Sequence, residues 1–168
     1  MTLADLNTAD RAAFTAALGH LFEHSPWVAE ETWPRRPFRD AAHLHAGLCG
    51  TMLAAAPARQ LALIRAHPDL AGRLAQQKRL TAESNREQAS AGLDQLTDAE
   101  LAEFTRLNDA YKAKFGFPFV ICARLNAKSA ILAAMHARLP HDAVTEHAAA
   151  LAEIGKIAQL RLQDLLRA

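Results

Sequence analysis

The chain has 168 residues, of which 51% are hydrophobic and 22% are charged, and its formal net charge is +1. The high apolar content excludes intrinsic disorder, and a near-neutral charge without a basic stripe argues against a nucleic-acid binder that works by bulk charge. The 38 Ala and 24 Leu residues, against 8 Val plus Ile, predict an all-α protein. We therefore expect residues 1–168 to form one domain, a compact bundle of about eight helices.

The sequence contains no signal for export, for a membrane-spanning helix or for a nucleotide cofactor. The N-terminal residues do not have the basic and apolar stretches of a signal peptide, and no apolar run approaches the ~18 residues of a membrane helix. Cys49 and Cys122 are too few for a disulfide framework and are expected to be buried thiols. The sequence contains no glycine-rich nucleotide-binding motif. We expect a soluble, cytoplasmic protein.

The helices follow from apolar spacing and from the positions of Pro, Gly and capping residues. In chain order, these signals predict helices over about 8–23, 26–33, 40–55, 57–66, 72–80, 84–91, 97–115, 118–138 and 142–165. Asp40 is predicted to cap the third helix, and Thr97 with Glu100 is predicted to form a capping box. The last helix is predicted to bury one stripe, formed by Val144, Leu151, Ile154, Ala158 and Leu162.

His67 directly precedes Pro68, at the start of the run HPDLAG over 67–72. Proline disfavours the helical conformation in the preceding residue, so His67 is expected to lie just beyond a helix end. An imidazole has an ordinary pKa of about 6.5 and exchanges a proton near neutral pH. Two interpretations stay open: a proton-transfer residue, or a loop histidine that caps the carbonyls of the preceding helix.

Ser84 and Glu87 match the capping-box spacing at the predicted start of a helix. Together with Gln88, they also present a hydroxyl, a carboxylate and an amide at a helix N-terminus, where a small polar ligand can bind. The structural and the functional interpretation are compatible with each other.

A third candidate is the start of the helix predicted to follow Pro118. There the free backbone N–H groups of Phe119, Val120 and Ile121 would form a donor cluster at the positive end of the helix dipole. The alternative is a helix start that is simply packed into the core. Arg124, one turn later, either anchors a substrate carboxylate or carbonyl or forms an ion pair with an acid such as Glu87.

His20 and His24 are four residues apart on a predicted helical face, a spacing that suits a metal ion. The nearby sequence offers neither a paired carboxylate nor a third ligand, so we predict no metal site.

Three runs in this order resemble one family, the OHCU decarboxylases, which convert 2-oxo-4-hydroxy-4-carboxy-5-ureidoimidazoline (OHCU) to (S)-allantoin in urate degradation. The runs are HPDLAG at 67–72, SNREQASAGL at 84–93 and LNDAYKAKFGFPFVICAR at 107–124. The resemblance extends over nearly the whole chain, through EHSPWVAE at 23–30 to EIGKIAQLRLQDLL at 153–166. It implies an all-helical, cofactor-free carboxy-lyase that is commonly a homodimer.

The same resemblance implies the roles of individual residues. His67 and Glu87 would be the central catalytic groups, and Pro68 would shape the wall of the site. The implied substrate-binding residues are Ser84, Gln88, Phe119, Val120, Ile121 and Arg124.

Two other functions remain alternatives at this point. A non-enzymatic helical interaction module would dock a partner through an exposed patch around Phe117 and Phe119. A metal-dependent hydrolase would use His20, His24 and His67.

Overall fold

The computed structural model describes residues 1–72 and 80–167. Within these ranges the α-helices are α1 (Leu3–Thr8), α2 (Arg11–Leu18), α3 (Trp27–Thr32), α4 (Ala41–Ala54), α5 (Pro57–Arg65), α6 (Ala82–Ser90), α7 (Asp98–Phe115), α8 (Lys128–Arg138) and α9 (Ala143–Arg167). Three short 3-10 helices are η1 (Gly19–Leu21), η2 (Trp33–Arg35) and η3 (Ala123–Leu125). The described residues contain no strand, so the all-α prediction is confirmed.

The internal contacts divide the chain into two compact units. Unit 1 comprises Met1–Ala66 and Ile154–Ala168, and unit 2 comprises His67–Glu153. All of the residues predicted to form the site belong to unit 2. That residues 1–168 act as a single domain stays a prediction.

Side-chain caps fix the start of several helices where the sequence indicates them. The Asp40 side chain accepts a hydrogen bond from the backbone N–H of His43 (2.7 Å) at the start of α4. Thr97 and Glu100 form the predicted capping box of α7, in which each side chain accepts from the other residue's backbone N–H. These interactions satisfy amides that lack a partner inside the helix, so the predicted starts of α4 and α7 are confirmed.

The helix predicted over 8–23 is observed within narrower bounds, as α2 followed by η1, and the preceding α1 was not predicted. Ala9 adopts an extended conformation, and the Asp10 side chain accepts from the backbone N–H of Ala13 (2.8 Å). The carbonyl of Ala9 accepts hydrogen bonds from the side chains of Trp33 and Arg36. An N-capping aspartate and two distant donors therefore replace the helical bonds that would have continued through this point.

Helix α6 begins earlier than predicted, so the capping box of Ser84 and Glu87 is wrong. The N-cap is Thr81, whose side chain accepts from the backbone N–H of Ser84 (3.3 Å). Ser84 thus lies in the first turn of α6 and is buried. The short polar helix predicted over 72–80 falls mainly on residues 73–79, outside the described residues.

The helix predicted over 118–138 is also wrong at its start, because α8 begins only at Lys128. Distant side chains bind the backbone of residues 117–122 instead. The Val120 carbonyl accepts from Arg138 (2.9 Å), and the Cys122 N–H donates to Glu153 (2.8 Å). Because side chains from other elements bind these backbone groups, the groups do not need partners within a helix.

Helix α9 confirms most of its predicted stripe but not the first position. Leu151, Ile154, Ala158 and Leu162 are buried, whereas Val144 is 82% exposed. In the first turn of α9 the residue that faces inward is Glu146, whose carboxylate is fully buried and accepts from Arg138. Val144 lies in line with this stripe but in the first turn of α9, where it is exposed to solvent.

No single helix among the described residues is long and apolar enough to cross a membrane. Helices α4 and α5 reach the required length and composition only as a pair, and they are bent by 113° at the break between them.

Candidate active site

The site begins with the turn that follows His67. His67 lies outside the helix that ends at Arg65, as predicted, and only 8% of its surface is exposed. After Pro68, the chain turns tightly over residues 69–72, where Ala71 has a positive φ of 51°. A non-glycine residue adopts this left-handed conformation only when its surroundings hold it there. Because the family resemblance implies that His67 is catalytic, we call residues 69–71 the catalytic-loop turn.

Gln88 of α6 holds this turn from one side. Its Oε1 accepts a hydrogen bond from the backbone N–H of Ala71 (2.9 Å), and its Nε2 donates to the carbonyl of Asp69 (3.3 Å). The side chain is 6% exposed. The structure therefore engages both ends of the Gln88 amide with the loop backbone, and its predicted contact with substrate stays a prediction.

Helix α7 supplies two further contacts to the same turn. Nδ2 of Asn108 donates to the carbonyl of Leu70 (2.8 Å), and the Lys112 ammonium contacts the Asp69 carboxylate at 2.6 Å. Asn108 is 3% exposed and lies on the face of α7 that also buries Leu107 and Tyr111. Sequence reasoning missed both residues, although a polar residue on the apolar face of a helix was a signal that could have found Asn108.

Helix α6 brings the polar candidates of its run to one side of unit 2. Ser84 and Gln88 are buried and Glu87 is half-buried, and residues three and four apart share a helical face. Helix α6 packs against η3, which carries the half-buried Arg124. The structure thus brings α6 to the predicted Arg124, although η3, not a long helix, carries that arginine.

Residues 117–122, which we call the aromatic segment, contact α7 and α8. Phe119 packs edge-on against Tyr111, with ring centroids 5.3 Å apart, and the Arg138 guanidinium lies 4.3 Å from the Phe119 centroid. The predicted donors of Phe119, Val120 and Ile121 are therefore in a non-helical segment. Their N–H groups do not share a helix dipole, and the prediction of a helix N-terminus here is wrong.

The pKa of the Cys122 thiol reflects the charges around this segment. Burial raises the pKa of Cys122, and the carboxylates of Glu153 and Glu87 raise it further. Glu87 therefore lies within electrostatic reach of the end of the aromatic segment. A neutral, buried thiol is not a nucleophile, so the expectation of an inert Cys122 agrees with its surroundings.

A buried ion pair anchors the aromatic segment. The Glu146 carboxylate accepts from the Tyr111 hydroxyl, from Arg138 (2.9 Å) and from His141 Nδ1 (2.8 Å). Burial acts to raise the pKa of Glu146, but the hydrogen bonds from these three side chains hold it below its usual range. Arg138 also donates to the Val120 carbonyl, so the position of the segment depends on a charged Glu146.

A cleft of about 270 Å³ opens on the α7 side of the catalytic-loop turn. Asp69, Gly72, Thr105, Asn108, Asp109 and Lys112 line it. Those lining residues include none of the predicted catalytic or substrate-binding residues.

Within residues 1–72 and 80–167, His, Cys, Asp and Glu side chains form no group of three that could hold a metal ion. His20 lies in η1, and His24 follows it with a positive φ of 46°. The two histidines therefore do not share the helical face that their spacing predicts.

Nearly the whole chain matches proteins of one family. A family model described as OHCU decarboxylase matches residues 7–163. The chain belongs to the OHCU decarboxylase family. A 2-oxo-4-hydroxy-4-carboxy-5-ureidoimidazoline decarboxylase from Halalkalicoccus jeotgali is 43% identical over 165 residues, covering 98% of this chain and 92% of that protein. Another from Amia calva is 42% identical over 168 residues, covering 99% of this chain and 95% of that protein.

A solved structure of similar fold is the crystal structure of (S)-allantoin synthase. It has a TM-score of 0.78 and 31% sequence identity to this chain. The match covers 99% of this chain but 54% of the other, so the chain spans about half the length of that protein.

Membership of the OHCU decarboxylase family makes the chain an enzyme, a carboxy-lyase, and confirms the resemblance inferred from its three sequence runs. The alternative of an interaction module required an exposed aromatic patch. Phe117 and Phe119 are 4% and 1% exposed, so the structure contradicts that requirement.

We expect Glu146→Gln to lower the free energy of unfolding by about 3 kcal/mol at pH 7, because it leaves the Arg138 guanidinium without a charged partner. Since the pKa of Glu146 is lowered in the fold, this stabilisation is present above the ordinary carboxyl pKa and is lost as pH falls through the lowered value. The difference between wild type and variant should therefore shrink below about pH 4. Urea unfolding at several pH values measures it.

Glu103→Gln is the matched control for this charge change. Glu103 forms a solvent-exposed pair with Arg106, so little stability should be lost. Equal losses in both variants at every pH would contradict the role given to Glu146.

Proposed function

We propose that the chain catalyses the cofactor-independent decarboxylation of OHCU to (S)-allantoin in urate degradation. Family membership supports the decarboxylase chemistry. The observation that carries the proposal is that Gln88 of α6 binds the turn directly after His67. One helix thereby links the histidine loop to Ser84 and Glu87.

The substrate can lose CO₂ without a metal or an organic cofactor. Its carboxylate sits on a carbon that bears a hydroxyl and adjoins a ring C=N. When the bond to the carboxylate breaks, CO₂ leaves, the electron pair forms a C=C bond to the neighbouring ring carbon, and the nitrogen of the former C=N takes up a proton. The hydroxyl then loses its proton as the carbonyl forms, and the neighbouring carbon gains a proton on one face. The reaction needs no oxidant or reductant.

We assign the proton transfer to His67. A largely buried imidazole next to a rigid proline is confined to few positions. It can take the proton of the hydroxyl, deliver a proton to the new carbon centre, or do both. Because uncatalysed decay of OHCU loses stereochemistry, control of the protonated face is part of the task.

In this proposal Glu87 orients either the substrate or the His67 imidazole. Its carboxylate can accept N–H groups of the ring or of the ureido arm, or it can favour the protonated imidazole. Ser84, Gln88, Arg124 and the backbone of Phe119, Val120 and Ile121 would bind the remaining polar groups, and Pro68 would form part of the wall. A guanidinium and amide donors suit a carboxylate and the charge that develops as it leaves.

The first test is circular dichroism of OHCU generated in place from urate by urate oxidase and hydroxyisourate hydrolase. The chain should speed the loss of the intermediate's signal and leave a persistent (S)-allantoin signal, also after dialysis against a chelator. His67→Ala should abolish this stereoselective turnover and keep the fold. His136→Ala, which changes an exposed histidine of the same unit, is the control and should remain active. Near-normal activity of His67→Ala would overturn its assignment.

A second prediction concerns Glu87→Gln, which should reduce kcat/KM by about 100-fold or more with little change in melting temperature. A small thermal effect is expected because Thr81, not Glu87, caps α6. Glu83→Gln removes an equivalent charge one turn earlier on the same helix and should keep its activity. A lower melting temperature with full turnover would assign Glu87 a structural role instead.

We also propose that the enzyme is a cytoplasmic homodimer, as the family resemblance implies. Light scattering coupled to gel filtration should give twice the chain mass of 18.3 kDa. A single-chain mass at micromolar concentration would refute the dimer.

A further inference from the structure

The catalytic-loop turn is held by side chains at each of its three residues. Gln88 binds the backbone of Asp69 and Ala71, Asn108 binds the carbonyl of Leu70, and Lys112 binds the Asp69 carboxylate. Two helices, α6 and α7, therefore hold the turn. Such a concentration of contacts on three residues is unusual for a surface loop, whose polar groups normally bind water.

Only one end of the Asn108 amide has a hydrogen-bond partner among the described residues. Among the described residues its Oδ1 is buried and has no hydrogen-bond partner, and a buried acceptor without a partner carries a free-energy cost. An apolar residue at this position would avoid the cost but would also lose the bond from Nδ2 to Leu70. The bond to the turn is thus what distinguishes asparagine at position 108.

We propose that Asn108 is a positioning residue, which acts with Gln88 to fix the catalytic-loop turn and so sets the position of His67. The inference rests on the proposed role of His67 in proton transfer. Asn108 itself contacts the loop backbone, so its effect on the reaction passes through the loop.

The connection from Leu70 to His67 is short and stiff. Pro68 has its φ fixed by its ring, and it also restricts the backbone of His67. Because residues 69–71 are held in place, few freely rotating bonds remain between them and the His67 imidazole. Releasing the carbonyl of Leu70 removes one of the contacts that hold the turn and so loosens the position of His67. A displacement of about 1 Å lowers a rate by up to about 100-fold.

The same geometry assigns Gln88 to the loop. Both ends of its amide bind backbone groups of the turn, and one N–H and one lone pair remain for the proposed contact with substrate. Gln88 therefore shares the positioning role of Asn108, so that variants of either residue lower kcat, and a Gln88 variant can also raise KM.

The test compares Asn108→Leu with Asp109→Asn, which changes an exposed neighbour on α7 that lines the same cleft. In Asn108→Leu we expect kcat to fall about 10- to 100-fold, with KM changed less than threefold. The enantiomeric excess of allantoin should also fall when enough variant is added to match the wild-type total rate. Gln88→Met should show the same fall in kcat and in enantiomeric excess, and Asp109→Asn should match wild type.

A measurement without substrate separates this inference from the proposed function. The measurement uses NMR spectra of histidine-labelled protein, in which the His67 signal is assigned by its loss in His67→Ala. Asn108→Leu should shift this signal, and Asp109→Asn should leave it unchanged. If wild type fails to decarboxylate OHCU, the proposed function fails, and the NMR comparison still decides whether Asn108 positions His67.

Two outcomes would overturn the inference. One is an unshifted His67 signal in a folded Asn108 variant, and the other is a loss of rate proportional to the unfolded fraction with unchanged enantiomeric excess. Should Asn108→Leu fail to fold, Asn108→Ala removes the same donor without adding bulk and takes its place in both measurements.

Discussion

The two hydrogen bonds of the Gln88 amide are the interaction on which the site depends. They join α6, the helix with Ser84 and Glu87, to a turn whose Ala71 adopts a left-handed conformation. A non-glycine residue in that conformation carries a backbone cost, which the surrounding bonds must offset. The loop after His67 is therefore stable only when α6 is formed, so the histidine and the polar face of α6 are ordered together.

The aromatic segment is likewise held by side chains from other elements, and here those side chains are charged. Arg138 binds the Val120 carbonyl while its charge is compensated by the buried Glu146. A buried ion pair adds little net stability, because desolvation of both ions offsets their attraction. What the pair contributes here is a fixed donor for a backbone carbonyl that has no place in a helix.

Local capping signals in the sequence located the starts of α4 and α7, at Asp40 and at the pair Thr97 and Glu100. They missed two caps that are equally local, Asp10 of α2 and Thr81 of α6. The helix expected after Pro118 was wrong because Arg138 and Glu153, distant in sequence, bind the backbone of the aromatic segment. No local pattern reveals such partners. The residue pattern left two interpretations of His67 open, and the family resemblance implied its catalytic role. Asn108 offered a signal, a polar residue on the apolar face of a helix, but that signal does not reveal its contact with Leu70.

The absence of a helix after Pro118 changes how charge can be stabilised. A helix N-terminus would present aligned amides equivalent to about half a positive charge, but a non-helical segment offers only separate N–H groups. Arg138 cannot supply the missing charge, because Glu146 and the Val120 carbonyl already engage its guanidinium. Arg124, the arginine predicted to bind substrate, lies in η3, which packs against α6. In the proposed mechanism, stabilisation of the substrate carboxylate therefore rests more on Arg124, and less on backbone amides, than the sequence pattern indicated.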